Sequence, residues 1–356
     1  MERAVEAPRT SRANPAVGDR AGERGFSLLE VTVTLVLLLI TFALFYDMIL
    51  GATRSSMFAE SRNDLSVIGQ RVVNGIQKEI SQSKLIFEED ALGSGYRNLF
   101  VAGLSGGTAV WSNSRMPVID QNTATLGADP GPNNIATRTG NSIILSRQLS
   151  PVSVAYDHDA DLSTADVNFL ADRYEFQYYF LRENPGRNFG DLGYYLDLVR
   201  ASSEVFADYF QLSSVTTNRA QLIQRLLATT PITMSWDPGK SVGSGFYALD
   251  GSGSLTAANP NRFTVTATSL LPEFIGGRIS GKMEYSVGLN SSTPRRIKDP
   301  IPLFATASSN FPGGLEFQVV GQSGFRKAIT RLVLVSWYGG NYNSQEASVI
   351  TNSHGF

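Results

Sequence analysis

The sequence predicts an α+β chain, with a long N-terminal helix followed by a β-rich domain. Three observations predict it. Residues 26–46 form an almost unbroken apolar run. Leu65, Ile68, Val72, Ile76 and Ile80 then repeat at helical spacing. Beyond Phe87 the composition shifts to Gly, Ser, Asn and Thr, with short runs of β-branched and aromatic residues between them. A helical segment followed by strands in succession gives α+β rather than alternating α/β.

The apolar run comes first. From Phe26 to Tyr46 there is no Pro, no Gly and one charge, Glu30. Roughly 20 apolar residues at about 1.5 Å each match a hydrocarbon core about 30 Å thick. A helix in lipid satisfies its own backbone donors and acceptors, so the run predicts a single transmembrane helix. A secretory signal peptide would need a small-residue cleavage site after the run, and Phe45-Tyr46-Asp47-Met48 is bulky. The run is therefore expected to stay in the mature chain. An ionisable side chain within such a segment costs a few kcal/mol and marks a functional position, so Glu30 stands out.

The segment Arg24-Gly25-Phe26-Ser27-Leu28-Leu29-Glu30, joined to that run, resembles the N-terminal signal of type IV prepilins and type II secretion pseudopilins. The resemblance implies cleavage between Gly25 and Phe26 by a membrane peptidase that also methylates the new amine. It implies that Glu30, then the fifth residue, serves subunit assembly by facing the Phe26 amine of a neighbour. The implied partners are the prepilin peptidase/methyltransferase, other minor and major pseudopilins or pilins, an inner-membrane assembly platform and the lipid bilayer. The implied location is the bacterial inner membrane with a periplasmic head, and then a filament. Gln70–Lys84, Tyr174–Leu181 and Gly193–Arg200 are loosely similar to large minor pseudopilins of the J or W type. The expected organisation is a cleaved leader at 1–25, a transmembrane and assembly helix at 26–50, its amphipathic continuation at 51–86, and a β-rich head with loop insertions at 87–356, pilin-like overall.

Composition narrows the chemistry. Loss of the leader would leave 331 residues with 25 basic and 28 acidic side chains. That balance offers no electrostatic surface for nucleic acid. Cysteine is absent, which removes disulfides, thiolate metal sites and thiol catalysis. The two histidines, His158 and His354, leave little for imidazole chemistry.

Along the head, strands are expected at Leu99–Ala102 with Thr108–Trp111, Ser142–Arg147, Arg173–Leu181, Tyr194–Ala201, Arg262–Thr268, Arg278–Val287, Leu315–Val320 and Ile329–Tyr338. The last two form a hairpin around Gly321-Gln322-Ser323-Gly324. Residues 217–228 suggest a short helix, and the polar, Gly/Pro-rich stretches 112–140 and 237–261 suggest surface loops. Gly51, Gly69 and Gly75 are expected to weaken or bend the long helix, at about 0.5–1 kcal/mol each.

Four motifs bear on chemistry. Gly103-Leu104-Ser105-Gly106-Gly107 fits a nucleophile elbow, but a turn and strand follow instead of a helix. Gly276 to Lys282 mimics a phosphate loop, yet Met283 stands where a metal-binding hydroxyl is needed. Gly243-x-Gly245-x-x-Ala248 lies in a Gly/Ser loop. Asp157, Asp159, Asp161 and Asp166 alternate as calcium ligands can, but Leu162 replaces the turn glycine and Asn168 the closing acid. None points to a catalytic residue, cofactor or metal. The expectation is a non-enzymatic minor pilin or pseudopilin subunit acting in filament initiation or at the tip. The alternative is a membrane- or filament-anchored adhesin or binding module.

Overall fold

The structure is a computed structural model. It describes residues 27–106, 110, 112, 114–119, 121, 138–159, 161, 166–183, 195–271, 273–274, 277–282, 314–322, 324–338 and 341–353. The chain divides after Ser56 into two compact units, Met1–Ser56 and Met57–Phe356. The architecture is α+β, as expected.

Helix α1 is a single helix of 54 residues, Leu28–Ser81. Its three glycines do not break it. Gly69 has a packing reason: an added Cβ would lie 3.3 Å from the Ala347 Cβ and 3.5 Å from the Leu334 Cδ1, so glycine allows close approach to the sheet. The helix ends earlier than the expected residue 86. The Ser81 hydroxyl donates to the Lys78 carbonyl at 2.7 Å and the Ser83 hydroxyl to the Ile80 carbonyl at 2.7 Å, taking up last-turn carbonyls. Ser83–Phe87 then runs as strand β1.

Helix α2, Ala91–Gly103, is capped by Asp90, whose carboxylate accepts from the Gly93 N–H at 2.7 Å. It absorbs Leu99–Ala102, which the sequence assigns to a strand. Tyr96, Leu99 and Phe100 are buried at i, i+3, i+4 spacing, so the helical period prevails over local β-propensity. The proposed partner strand, Thr108–Trp111, lies largely outside the described residues.

The sheet is built from three long strands, β2 (Ile143–Tyr156), β3 (Val167–Glu183) and β4 (Tyr195–Asp208), each longer than its sequence-predicted core. Two short helices follow, α3 (Tyr209–Ser214) and α4 (Arg219–Thr229). Then come β5 (Met234–Trp236), β6 (Phe246–Leu249), β7 (Leu255–Ala258), β8 (Thr266–Ser269), β9 (Glu273–Phe274) and β10 (Gly277–Lys282). The chain closes with β11 (Leu315–Val320), β12 (Arg326–Tyr338) and β13 (Asn341–Ser353). The main path runs β1-β2-β3-β4-β10-β12-β11 with antiparallel neighbours, and β13 pairs with β12. The stretch 237–261, read as loop, holds β6 and β7, which are too short for a periodic signal. Strand β13 is missing from the sequence reading because it is rich in Asn and Ser.

Alternation along the central strands buries both faces of the sheet. Leu145, Tyr179, Leu181 and Leu198 pack against the α1 stripe Leu65, Ile68, Val72, Val73, Ile76 and Ile80. Ile144, Tyr178, Phe180 and Val199 face the other way, onto α2 and the aromatic group of Trp236, Phe246 and Phe263. The sheet curls around the stripe. The Ser83 and Ser353 hydroxyls meet at 3.3 Å, and Arg326 donates to the Ile86 carbonyl at 2.7 Å, joining strands far apart in sheet order.

Candidate functional site

Gly25 and Phe26, the expected processing residues, lie outside the described residues. Ser27 and Glu30 are described, and they form a reciprocal cap. The Ser27 N–H donates to Glu30 Oε2 at 2.9 Å, and the Glu30 N–H donates to the Ser27 hydroxyl at 3.2 Å. The hydroxyl also lies 3.2 Å from Glu30 Oε2. This is the Ser-x-x-Glu capping box, which fills two of the donors that a helix start leaves free. The sequence carries it in plain form, Ser27-Leu28-Leu29-Glu30. Glu30 thus has a local partner within its own chain.

The residues that follow are apolar and exposed. Leu28, Leu37, Leu39, Phe42, Leu44 and Ile49 are all more than half exposed. The first part of the helix is apolar and none of it is buried, so by length and composition it is able to cross a membrane. Its threonine hydroxyls are satisfied internally. Thr34 donates to the Glu30 carbonyl at 2.7 Å, Thr41 to the Leu37 carbonyl at 2.8 Å and Thr53 to the Ile49 carbonyl at 2.8 Å. A hydroxyl bonded to its own helix needs no water, which suits a lipid-facing segment.

Further along α1, the buried stripe carries a charge, Glu79. Glu79 lies three residues from Ile76 and seven from Val72, which places it on the buried face. It is 7% exposed. The Tyr179 hydroxyl and Arg200 Nη1, the latter at 3.1 Å, donate to it from β3 and β4, and Arg147 of β2 stands 3.8 Å away. Burial and the adjacent Glu79 carboxylate raise the Tyr179 pKa strongly. The helix is thereby tied to three adjacent strands at one point. A second polar knot lies under α3, where Lys84 donates to the Tyr174 hydroxyl at 2.7 Å and to Asp208 at 3.1 Å. Asp208 also caps α3 through the Gln211 N–H at 3.0 Å.

Gly103 ends α2, where an added Cβ would meet the Phe263 carbonyl oxygen at 2.2 Å. Its glycine is therefore explained by backbone approach, not by a nucleophile elbow at Ser105. Residues 277–282 form β10, a strand where a phosphate loop would need a turn and helix. Gly243 and Gly245 sit in the turn before β6. Asp157 is buried, its N–H donating to Gln221 at 2.8 Å, and Asp166 pairs with Arg225. Among the described residues, no three of His, Asp and Glu are grouped to hold a metal ion. Comparison with protein-family models, curated proteins and solved structures finds nothing that matches this chain.

Proposed function

We propose that the chain is a minor pilin or pseudopilin: a membrane-inserted precursor, cleaved after Gly25, whose apolar helix then packs among sibling helices in a filament of the type II secretion or type IV pilus kind. The observation that carries this reading is one run of sequence: Gly25-Phe26, the Ser27–Glu30 cap, and an exposed apolar helix with a lone acid at its start. An exposed apolar helix needs a nonaqueous environment, either lipid or a bundle of like helices. The α+β head, with the same helix continuing into its core, is compatible with such a subunit. On this reading the chain has structural partners and no turnover of its own. Its partners are the prepilin peptidase, the assembly platform and other subunits, and the head lies in the periplasm before assembly.

N-terminal mass spectrometry of membrane-extracted protein tests the reading. The expected species begins at N-methylated Phe26, and Gly25→Trp is expected to abolish the cut by blocking close approach to the backbone. An intact N-terminus, or cleavage beyond Tyr46, would refute the assignment.

A further inference from the structure

One edge of β4 is shared by three strands, and the sharing leaves a break. Strand β10 pairs with residues 195–196, β8 with 199–202 and β5 with 207–208. Residues 203–206 have no strand partner on that side among the described residues. The opposite edge carries a β-bulge at the same level. Glu175 pairs with Val205 and Gln177 with Ser202, so Phe176 faces two residues, Ser203 and Glu204. Ser203 stabilises the bulge, accepting from the Phe176 N–H at 3.0 Å and donating to the Glu204 carbonyl at 2.7 Å. Bulges redirect side chains and recur beside binding sites.

Glu204 lines a cleft of about 620 Å3 in this break, with Pro231, Met234, Asn259, Arg262 and Thr264. One carboxylate oxygen, Oε2, accepts from the Thr264 N–H at 2.5 Å, and Oε1 accepts from no other described residue. Burial raises the Glu204 carboxyl above its usual range. Arg262 forms no hydrogen bond or ion pair with a described residue. The open cleft thus joins a positioned carboxylate and an exposed guanidinium over a mixed polar and apolar lining.

We propose that this break in the β4 ladder binds a small ligand bearing a carboxylate beside a hydroxyl or ammonium donor, with Arg262 taking the carboxylate and Glu204 Oε1 accepting from the donor. Uronic acids and free amino acids share that chemistry. The inference is independent of the filament role.

The test is titration of the full-length protein, in micelles of a sugar-free nonionic detergent, with galacturonate, alanine and galactose, read by chemical-shift perturbation. Saturable binding of galacturonate or alanine at millimolar concentration is expected, and which of the two binds identifies the source. Galactose, lacking the anion, is expected to bind at least about tenfold more weakly, and Arg262→Ala is expected to lower affinity for the bound probe by a similar factor. Glu204→Gln keeps an acceptor for Thr264 and is expected to weaken an ammonium ligand more than a hydroxyl ligand. Arg262 is exposed and Glu204 half-buried, and an unchanged thermal midpoint of each variant certifies the fold. Absence of binding by both acidic probes, equal binding of galactose, or unchanged affinity in Arg262→Ala would overturn the proposal.

Discussion

The Tyr179 hydroxyl donates to Glu79 Oε2, joining the middle of β3 to the buried stripe of α1. A carboxylate in an otherwise apolar interface has its partners at one axial position only. Sliding α1 by one turn would leave Glu79 and Tyr179 buried without partners. Apolar packing by Leu65, Ile68 and Val72 tolerates such a slide far better, so the polar contact fixes the register.

Glu79→Leu is expected to destabilise the protein by about 1–3 kcal/mol, because the Tyr179 hydroxyl is then buried without an acceptor while both arginines keep access to water. Adding Tyr179→Phe is expected to recover most of that loss. Urea denaturation of the parent, both single variants and the double variant gives the coupling. Purely additive losses would show that the register does not rest on this contact.

Alkaline pH bears on the same core. Tyr96, Tyr174, Tyr178 and Tyr179 all have raised pKa values, with burial the leading cause, and that of Tyr96 is pushed up to about 12. In the unfolded chain a tyrosine ionises near pH 10. The folded state therefore holds protons that the unfolded state releases, and stability declines as pH rises above about 10. Each such tyrosine contributes a slope of about 1.4 kcal/mol per pH unit until its folded pKa is passed. Denaturant midpoints measured between pH 9 and 11 are expected to be flat at first and then to fall steeply. Tyr174→Phe is expected to make the fall shallower.

Where sequence reading succeeded, a strong period was present. The stripe Leu65–Ile80 returned as a buried face, and β11 was placed at its observed ends. It failed where tertiary contacts decide. Strand β13 is polar because its outward residues face solvent, and only pairing with β12 makes it a strand. Leu99–Ala102 looks like a strand in isolation and is helical because Tyr96, Leu99 and Phe100 share a core. Glu79 was readable by its spacing from Ile76, but its three partners come from strands 68 to 121 residues away. The break in β4 involves pairings with three separate segments, and no local pattern encodes it.

Docking of α1 on the sheet is open to a sharper test. Ile76 is 1% exposed within the α1-side core. Ile76→Asp buries an unpaired charge and removes apolar packing, with an expected loss of about 3–5 kcal/mol. Gly75, its neighbour, has nothing within 4 Å of an added Cβ, so Gly75→Ala is expected to be neutral or to stabilise by up to about 1 kcal/mol. Thermal melts of the two variants should therefore move in opposite directions or differ widely. Similar melts would mean that the stripe is not buried.

Glu30 has two possible employments, and one substitution separates them. In this structure its carboxylate accepts from Ser27 of the same chain, completing a capping box. In the proposed filament it faces the Phe26 amine of a neighbouring subunit. A capping box accepts Gln in place of Glu, because only an acceptor oxygen is required. A pair with a charged amine in an apolar core requires the carboxylate, since the amine would otherwise stand uncompensated. Glu30→Gln therefore keeps the cap and removes the charge, whereas Glu30→Leu removes both. The proposed role predicts that both variants insert and are cleaved, and that both incorporate poorly into sheared filaments. Ser27→Ala, which weakens the cap by about 1 kcal/mol and leaves the charge, is expected to incorporate nearly as well as the parent. The comparison is of cleaved subunit in membranes against subunit in the filament fraction. If Glu30→Gln assembles like the parent and Glu30→Leu does not, the cap and not the charge is what assembly uses.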